Sequence, residues 1–128
     1  MSWGNIKIDP ADKIFSLYIR ARDKRCQRCG RPGMTDASGL PVLGLQNSHY
    51  FGRRAESTRF HPSNCDALCA RCHQIWGSEN HEEYRRFKLK QLGSRGLLEL
   101  ELLHNTFQKK DRKLALVVSK ALLDSLKK

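Results

Sequence analysis

Apolar positions fall at helical spacing at both ends of the chain, and the pattern between them is broken and extended. In DKIFSLYIRARD, Asp12 to Asp23, residues Ile14, Phe15, Tyr18 and Ile19 share one side while Lys and Arg occupy the rest, which predicts an amphipathic helix leading into Cys26. Near the other end, Leu114, Val117, Val118, Ala121, Leu122 and Ser125 or Leu126 form one apolar stripe, with Asp111 placed as its N-cap. Such a stripe needs a cover, either the domain itself or a second copy of the chain.

The middle of the chain reads as a hairpin followed by helix. RPGMTDASGL, 31 to 40, is turn chemistry. PVLGLQNSHY, 41 to 50, has the short apolar character of a strand, 51 to 63 is a polar, Arg-rich connection, and 64 to 68 is a second extended piece. Helix begins at ARCHQIW and is continued or restarted by GSENHEEYRRFKLKQLG, with Ser78 and Glu82 offering capping chemistry and Gly93 a stop. GLLELELLHNTF alternates Leu with Glu, yet Leu, Glu and His are better helix than strand formers, so a short helix is expected there. The fold class is α+β, with helices flanking a small strand pair.

At 128 residues the chain suits a single domain, 1–128. Twenty-four Lys and Arg against thirteen Asp and Glu leave a formal charge of +11, spread along the whole sequence. A polyanion is the partner such a surface favours, although charge alone speaks to association and not to fold. No apolar run approaches the roughly 20 residues of a membrane span, and MSWGNIKIDP lacks the apolar core of a secretory signal. A cytoplasmic location is expected, with no membrane partner.

Five cysteines in a reducing compartment argue against a disulfide framework. Their spacing is more informative: Cys26-Gln-Arg-Cys29 and Cys69-Ala-Arg-Cys72 are two C-x2-C knuckles. Each can present two thiolates to one tetrahedral ion, and two together complete a four-cysteine structural zinc site. A redox pair is the alternative for a lone knuckle, and two knuckles favour zinc. Such an ion contributes about 10 kcal/mol or more to a small fold. Cys65 lies outside both pairs and reads as packing.

With the cysteines assigned, His49, Asn64 and His73 remain at the spacing H-x14-N-x8-H. Together with SHY at 48–50, PSN at 62–64 and NCDALCARCH at 64–73, they closely resemble the HNH endonucleases, whose ββα-metal finger often carries two C-x2-C knuckles. The resemblance covers 26 to about 81, leaving 94–128 as a C-terminal helical extension. A narrower likeness, through IRARDKRCQRCG, NSHYFGRR, STRF, NCDALCARCH and Tyr84 to Gly93, is to the NinG/Rap family of lambdoid phages, associated with recombination and branched DNA.

The resemblance implies a metal-dependent endonuclease acting on DNA in the cytoplasm of a bacterial host. His49 is then the general base that takes a proton from the attacking water, a task suited to an imidazole of ordinary pKa near 6.5. Asn64 ties the loop between the strands and orients the base. His73, at the start of the helix, binds a catalytic Mg²⁺ or Mn²⁺ that stabilises the phosphorane charge and the leaving 3′-oxygen. The sequence departs from the pattern at Ser48, where many HNH enzymes place Asp or His, and at Gly77, one turn after His73. Glu79, Asn80 and His81 are nearby replacement ligands, with Asn80 and His81 favoured, together with water and substrate phosphate.

Arg53, Arg54 and Arg59 follow the base closely and are suited to phosphate contacts. Arg71, Arg85, Arg86, Lys88 and Lys90 could continue the track. Cutting two strands together requires a homodimer or two encounters. The rival reading from another class is a zinc-stabilised DNA-binding module without catalysis.

Overall fold

The computed structural model describes residues 8–127; the first seven residues of the segment read for a signal lie outside it. The chain is α+β. Five α-helices surround two small antiparallel sheets among the described residues. Helix α1 (Pro10–Asp23) is set by local chemistry: the Asp9 side chain accepts from the Ala11 N–H at 2.8 Å, and proline opens the first turn. Ala11, Phe15, Tyr18 and Ile19 are buried, and Ile14 is only half-buried. The helix closes at Lys24, whose φ of 64° is left-handed.

The extended segment 41–50 is two strands. β1 (Met34–Thr35) pairs with β2 (Pro41–Leu43), and β3 (Gln46–His49) pairs with β4 (Cys65–Leu68). Gly44, at φ 96°, turns the chain between β2 and β3, a conformation that glycine supplies without strain. The second pairing sets Gln46 opposite Leu68, Asn47 opposite Ala67, Ser48 opposite Asp66 and His49 opposite Cys65. All four residues of β4 are buried, so this strand lies in the middle of the core. The connection between β3 and β4 contains a short helix, α2 (Glu56–Arg59), and a 3-10 turn over Pro62–Asn64.

Helix α3 (Ala70–Gln74) follows β4 at once and runs into a wide π-type turn, Ile75–Glu79, closed by the Asn80 N–H on the Ile75 carbonyl at 2.6 Å. Helix α4 (His81–His104) therefore starts anew. Its cap is Asn80, which accepts from the Glu83 N–H at 3.1 Å, and not Ser78 as the sequence suggests. Gly93, at φ 76°, breaks the helix where the sequence suggests a stop, and a second helical stretch follows directly through the Leu-Glu alternation to His104. The boundary expected at 94 thus falls at a kink.

Helix α5 (Arg112–Ser125) begins at the expected cap, Asp111, which accepts from the Leu114 N–H at 3.0 Å, and packs along α1. Its covered face differs from the expected stripe. Ala115 and Ser119 are buried and Leu122 and Leu123 pack on the core, while Leu114, Val117 and Val118 face outward. Small residues let two helices approach closely, which places Ala and Ser at the contact and leaves the larger side chains outside. Among the described residues, no helix is long and apolar enough to cross a membrane.

Two polar assemblies hold these elements in register. Arg22 donates to the carbonyls of Pro62 and Cys65 at 2.9 and 2.8 Å and pairs with Asp23, whose other oxygen accepts from the Ala67 N–H at 2.8 Å. Thus α1 grips both ends of β4. Deeper in, Asp66 and Lys88 are both fully buried and lie 3.1 Å apart. Tyr84 donates its hydroxyl to Asp66 at 2.9 Å, Gln91 donates to the other Asp66 oxygen at 3.2 Å, and the Lys88 ammonium also reaches the carbonyl of Ser63 and the side chain of Gln91. Lys88 is therefore a core residue and no part of a basic surface track.

Because both charges are paired inside the core, removing one strands the other. Asp66→Ala should cost about 3–5 kcal/mol in denaturant unfolding. A loss below about 1 kcal/mol would show that the pair is not holding α4 to β4.

Candidate metal centre and cleft

The four knuckle cysteines converge on one point. Cys26, Cys29, Cys69 and Cys72 each offer a sulfur, and these atoms all lie within 4.8 Å of one another; Cys29 Sγ and Cys69 Sγ are 3.8 Å apart. Tetrahedral coordination at a Zn–S length of about 2.3 Å sets sulfurs about 3.8 Å apart, so the donor set fits a four-thiolate ion.

Backbone geometry builds the site. The Gly30 N–H closes the first knuckle on the Cys26 carbonyl at 2.8 Å, and Gln27 N–H joins it to the β4 carbonyl of Ala67 at 2.9 Å. The second knuckle is the first turn of α3, with the His73 N–H on the Cys69 carbonyl at 2.8 Å.

Burial raises the Cys26 thiol, but the N–H groups of Cys29, Cys69 and Arg28 outweigh it and hold the group down at about 7. Cys72 is pushed up to about 12 by burial and its neighbouring sulfurs. Arg28 spans the site, pairing with Glu83 at 2.8 Å while pointing at Cys72 Sγ. Glu83 also accepts from the Trp76 indole at 2.7 Å, which ties α4 to the knuckles. Cys65 is fully buried in β4, and burial drives its thiol well above the ordinary range, as befits packing and not nucleophilic chemistry.

Beside this centre lies an open cleft of about 960 Å³ that contains His49 and His73 together, with Asp12, Lys13, Arg20, Gln46 and Arg53 among its walls. His49 ends β3 and its Nε2 meets the carbonyl oxygen of Arg59 at 3.1 Å. A carbonyl can only accept, so Nε2 carries the proton and the lone pair stands on Nδ1. Burial, reinforced by the charge of Arg53, depresses its pKa to about 4, and the imidazole is neutral at physiological pH.

Asn64 is fully buried and ties the loop after His49 at three points: Oδ1 accepts from the Phe51 N–H at 2.8 Å, and Nδ2 donates to the carbonyls of Phe51 and Thr58 at 2.9 and 3.1 Å. This fixes α2, whose last residue supplies the carbonyl that orients His49. His73 donates from Nδ1 to Gln46 Oε1 at 2.7 Å, which leaves Nε2 free, and burial lowers its pKa.

Other sequence-marked residues are placed elsewhere. Asn80 is occupied in capping α4, and His81 stacks on the Tyr50 ring at 5.1 Å; neither is among the residues lining the cleft. Arg59 is largely buried and paired with Asp12 and Glu56, so it braces α2 against α1 instead of reaching outward. Arg53 and Arg54 are exposed, and Arg53 lines the His49 cleft. His61 caps the 3-10 turn by accepting from the Ser63 N–H, and His104 stacks on Phe51 at 4.2 Å. Gln46, Asp12, Lys13 and Arg20 are the cleft residues that sequence reasoning missed. Gln46 carries only a faint signal, three positions before His49 on the same strand, and nothing in the periodicity of α1 marks Asp12.

Two measurements test this geometry. Elemental analysis should find one zinc per chain, and Cys26→Ser or Cys72→Ser should lose both the ion and cooperative unfolding; a metal-free, fully folded wild type contradicts the assignment. For His49, the unfolded chain takes up a proton as pH falls through about 6.5, whereas the folded chain does so only near 4. The residue therefore lowers stability progressively as pH drops across that window, and its contribution is complete above it. An NMR titration of the ring should show a midpoint near 4, and a midpoint near 6.5 would mean that the ring is solvated.

Comparison of the chain with protein-family models, with curated proteins and with solved structures finds no match.

Proposed function

We propose that the protein is a metal-dependent endonuclease of the HNH type that hydrolyses DNA phosphodiester bonds. The observation that carries this reading is the cleft in which His49, neutral and with Nδ1 free, shares a wall with His73 and with Lys13, Arg20 and Arg53. A phosphodiester drawn in by the cations sits over two imidazoles with different tasks. With the phosphodiester anion in the cleft offsetting the charge of Arg53 and raising the basicity of the ring above its value without substrate, Nδ1 of His49 accepts the proton of a water attacking phosphorus, and the Arg59 carbonyl stabilises the resulting imidazolium through Nε2–H. Asn64 contributes by holding the loop that bears this carbonyl. Nε2 of His73, with Gln46 fixing the ring, would hold a divalent ion such as Mg²⁺ or Mn²⁺, which would supply neutralisation of the negative charge that develops in phosphodiester hydrolysis. The products carry a 5′-phosphate and a 3′-hydroxyl.

The likeness to the NinG/Rap family supports branched recombination intermediates as the substrate. One core addresses one strand, and the outward residues Leu114, Val117 and Val118 of α5 are the surface on which two copies could meet. A second reading, a zinc-stabilised DNA-binding module without catalysis, draws on a specific feature. Among the described residues the four cysteines are the only set of three or more potential ligands close enough to hold an ion, so His73 has no such protein companions.

Incubation with plasmid and with branched DNA, in Mg²⁺ and in Mn²⁺, separates the two. Wild type should nick DNA only with added metal, His49→Ala should lose at least about a hundredfold in rate, in keeping with general base catalysis, and both should bind DNA alike. Binding without nicking in any metal would leave the non-catalytic module.

A further inference from the structure

The hairpin of β1 and β2 takes no part in the chemistry above, yet it is fixed to the metal knuckle. The Lys24 carbonyl accepts from the Gly33 N–H at 3.0 Å, Arg25 bridges Pro32, and the Cys26 N–H reaches the Arg31 carbonyl at 2.8 Å. At the far end Asp36 accepts from the Ser38 hydroxyl and from the N–H groups of Ser38 and Leu40, so the turn is closed. What this hairpin shows to solvent is largely apolar. Met34 and Leu43 are cross-strand partners, hence on one face, and are 61% and 64% exposed, with Val42 at 51%. Nothing in the described fold covers them.

The charge beside this apolar face is one-sided. Lys24, Arg25 and Arg31 lie in the stretch 24–45 against Asp36 alone, which is spent on the turn, while Arg28 is paired with Glu83. A groove of about 270 Å³ runs along the hairpin, lined by Arg20, Lys24, Arg25, Met34 and Pro41 among others. It shares Arg20 and Leu45 with the His49 cleft, so the groove and the cleft are neighbours that meet at these two residues. Apolar side chains of this size, presented next to cations, are what proteins use to pack against or between bases.

We propose that this hairpin is a nucleobase-contact site: Met34 and Leu43 pack against an unstacked base of a strand whose phosphates lie on Arg20, Lys24 and Arg25. The inference rests on the nuclease reading only for what happens in the neighbouring His49 cleft. It makes the protein select DNA with an unpaired base near the scissile bond over perfect duplex. Cations recruit any DNA, whereas the apolar pair gains contact only where a base has left the stack.

The test uses the full zinc-loaded chain without added Mg²⁺ or Mn²⁺, and two duplexes that differ by one unpaired 2-aminopurine. Wild type should bind the bulged duplex severalfold more tightly than perfect duplex, as apolar side chains packed on an unstacked base allow, and should change the 2-aminopurine fluorescence. Met34→Ser/Leu43→Ser, at two exposed positions, should lose the preference and the fluorescence change while binding perfect duplex as before. Met34→Trp, which enlarges the stacking surface, should keep or increase both. An unchanged preference in the double variant overturns the proposal, as does an equal loss on both duplexes. So does a variant that keeps its DNA binding but no longer binds anionic phospholipid vesicles, since that assigns the face to a membrane surface. Cleavage in Mg²⁺ with an unchanged preference removes the hairpin proposal alone; an intact preference with no cleavage removes the nuclease reading alone.

Discussion

The fold depends on bringing four sulfurs from two segments about 40 residues apart to within 4.8 Å of one another. Four thiols at that spacing gain little from each other; a divalent ion among four thiolates is what makes their meeting favourable. Each neighbouring feature takes its position from this convergence. The first knuckle is hydrogen-bonded to β4 and is the base of the β1–β2 hairpin, and the second is the opening turn of α3, which carries His73. Arg28, reaching from the cluster to Glu83 and so to Trp76, extends the same tie to α4. A chain of this size with a core divided among short strands would gain from an ion at this site what a larger protein obtains from buried area.

Around that clamp, polar groups are used to position, not only to pack. The Arg22–Asp23 pair aligns α1 with β4, and the Asp66–Lys88 pair aligns α4 with the same strand. β4 is gripped from both sides, so its partner β3 holds His49 at a fixed place. The short loop between them is then ordered by Asn64, and the Arg59 carbonyl becomes a preset acceptor for the imidazole. In this way a buried amide two elements away from the cleft decides which nitrogen of His49 is free.

Much of this was legible in the sequence, for physical reasons that differ by element. The α1 stripe, the β3–β4 hairpin, the Asp111 cap and the paired cysteines follow from local periodicity, capping chemistry and ligand spacing, which act over a few residues. The misread parts depend on partners far along the chain. Lys88 looks like any surface lysine until Asp66 is placed beside it, and Arg59 looks like a phosphate ligand until Asp12 is. The outward face of α5 is the more hydrophobic one, so the stripe pointed away from the face that α1 covers. The π-type turn after α3 moved the cap of α4 from Ser78 to Asn80, and thereby removed Asn80 from the candidate ligands. The sequence spacing marks both His49 and His73, which line one cleft, whereas Gln46, Asp12, Lys13 and Arg20 join them only because their elements meet there.

The most direct test of the account is the fate of the water oxygen. With a duplex substrate in ¹⁸O-enriched water and Mn²⁺, mass spectrometry of the products should find a single ¹⁸O on the new 5′-phosphate, beside an unlabelled 3′-hydroxyl. The label should vanish with the activity in His49→Ala. Label on a 3′-phosphate, or unlabelled, intact DNA under all metals, would contradict hydrolysis driven by His49 across this cleft.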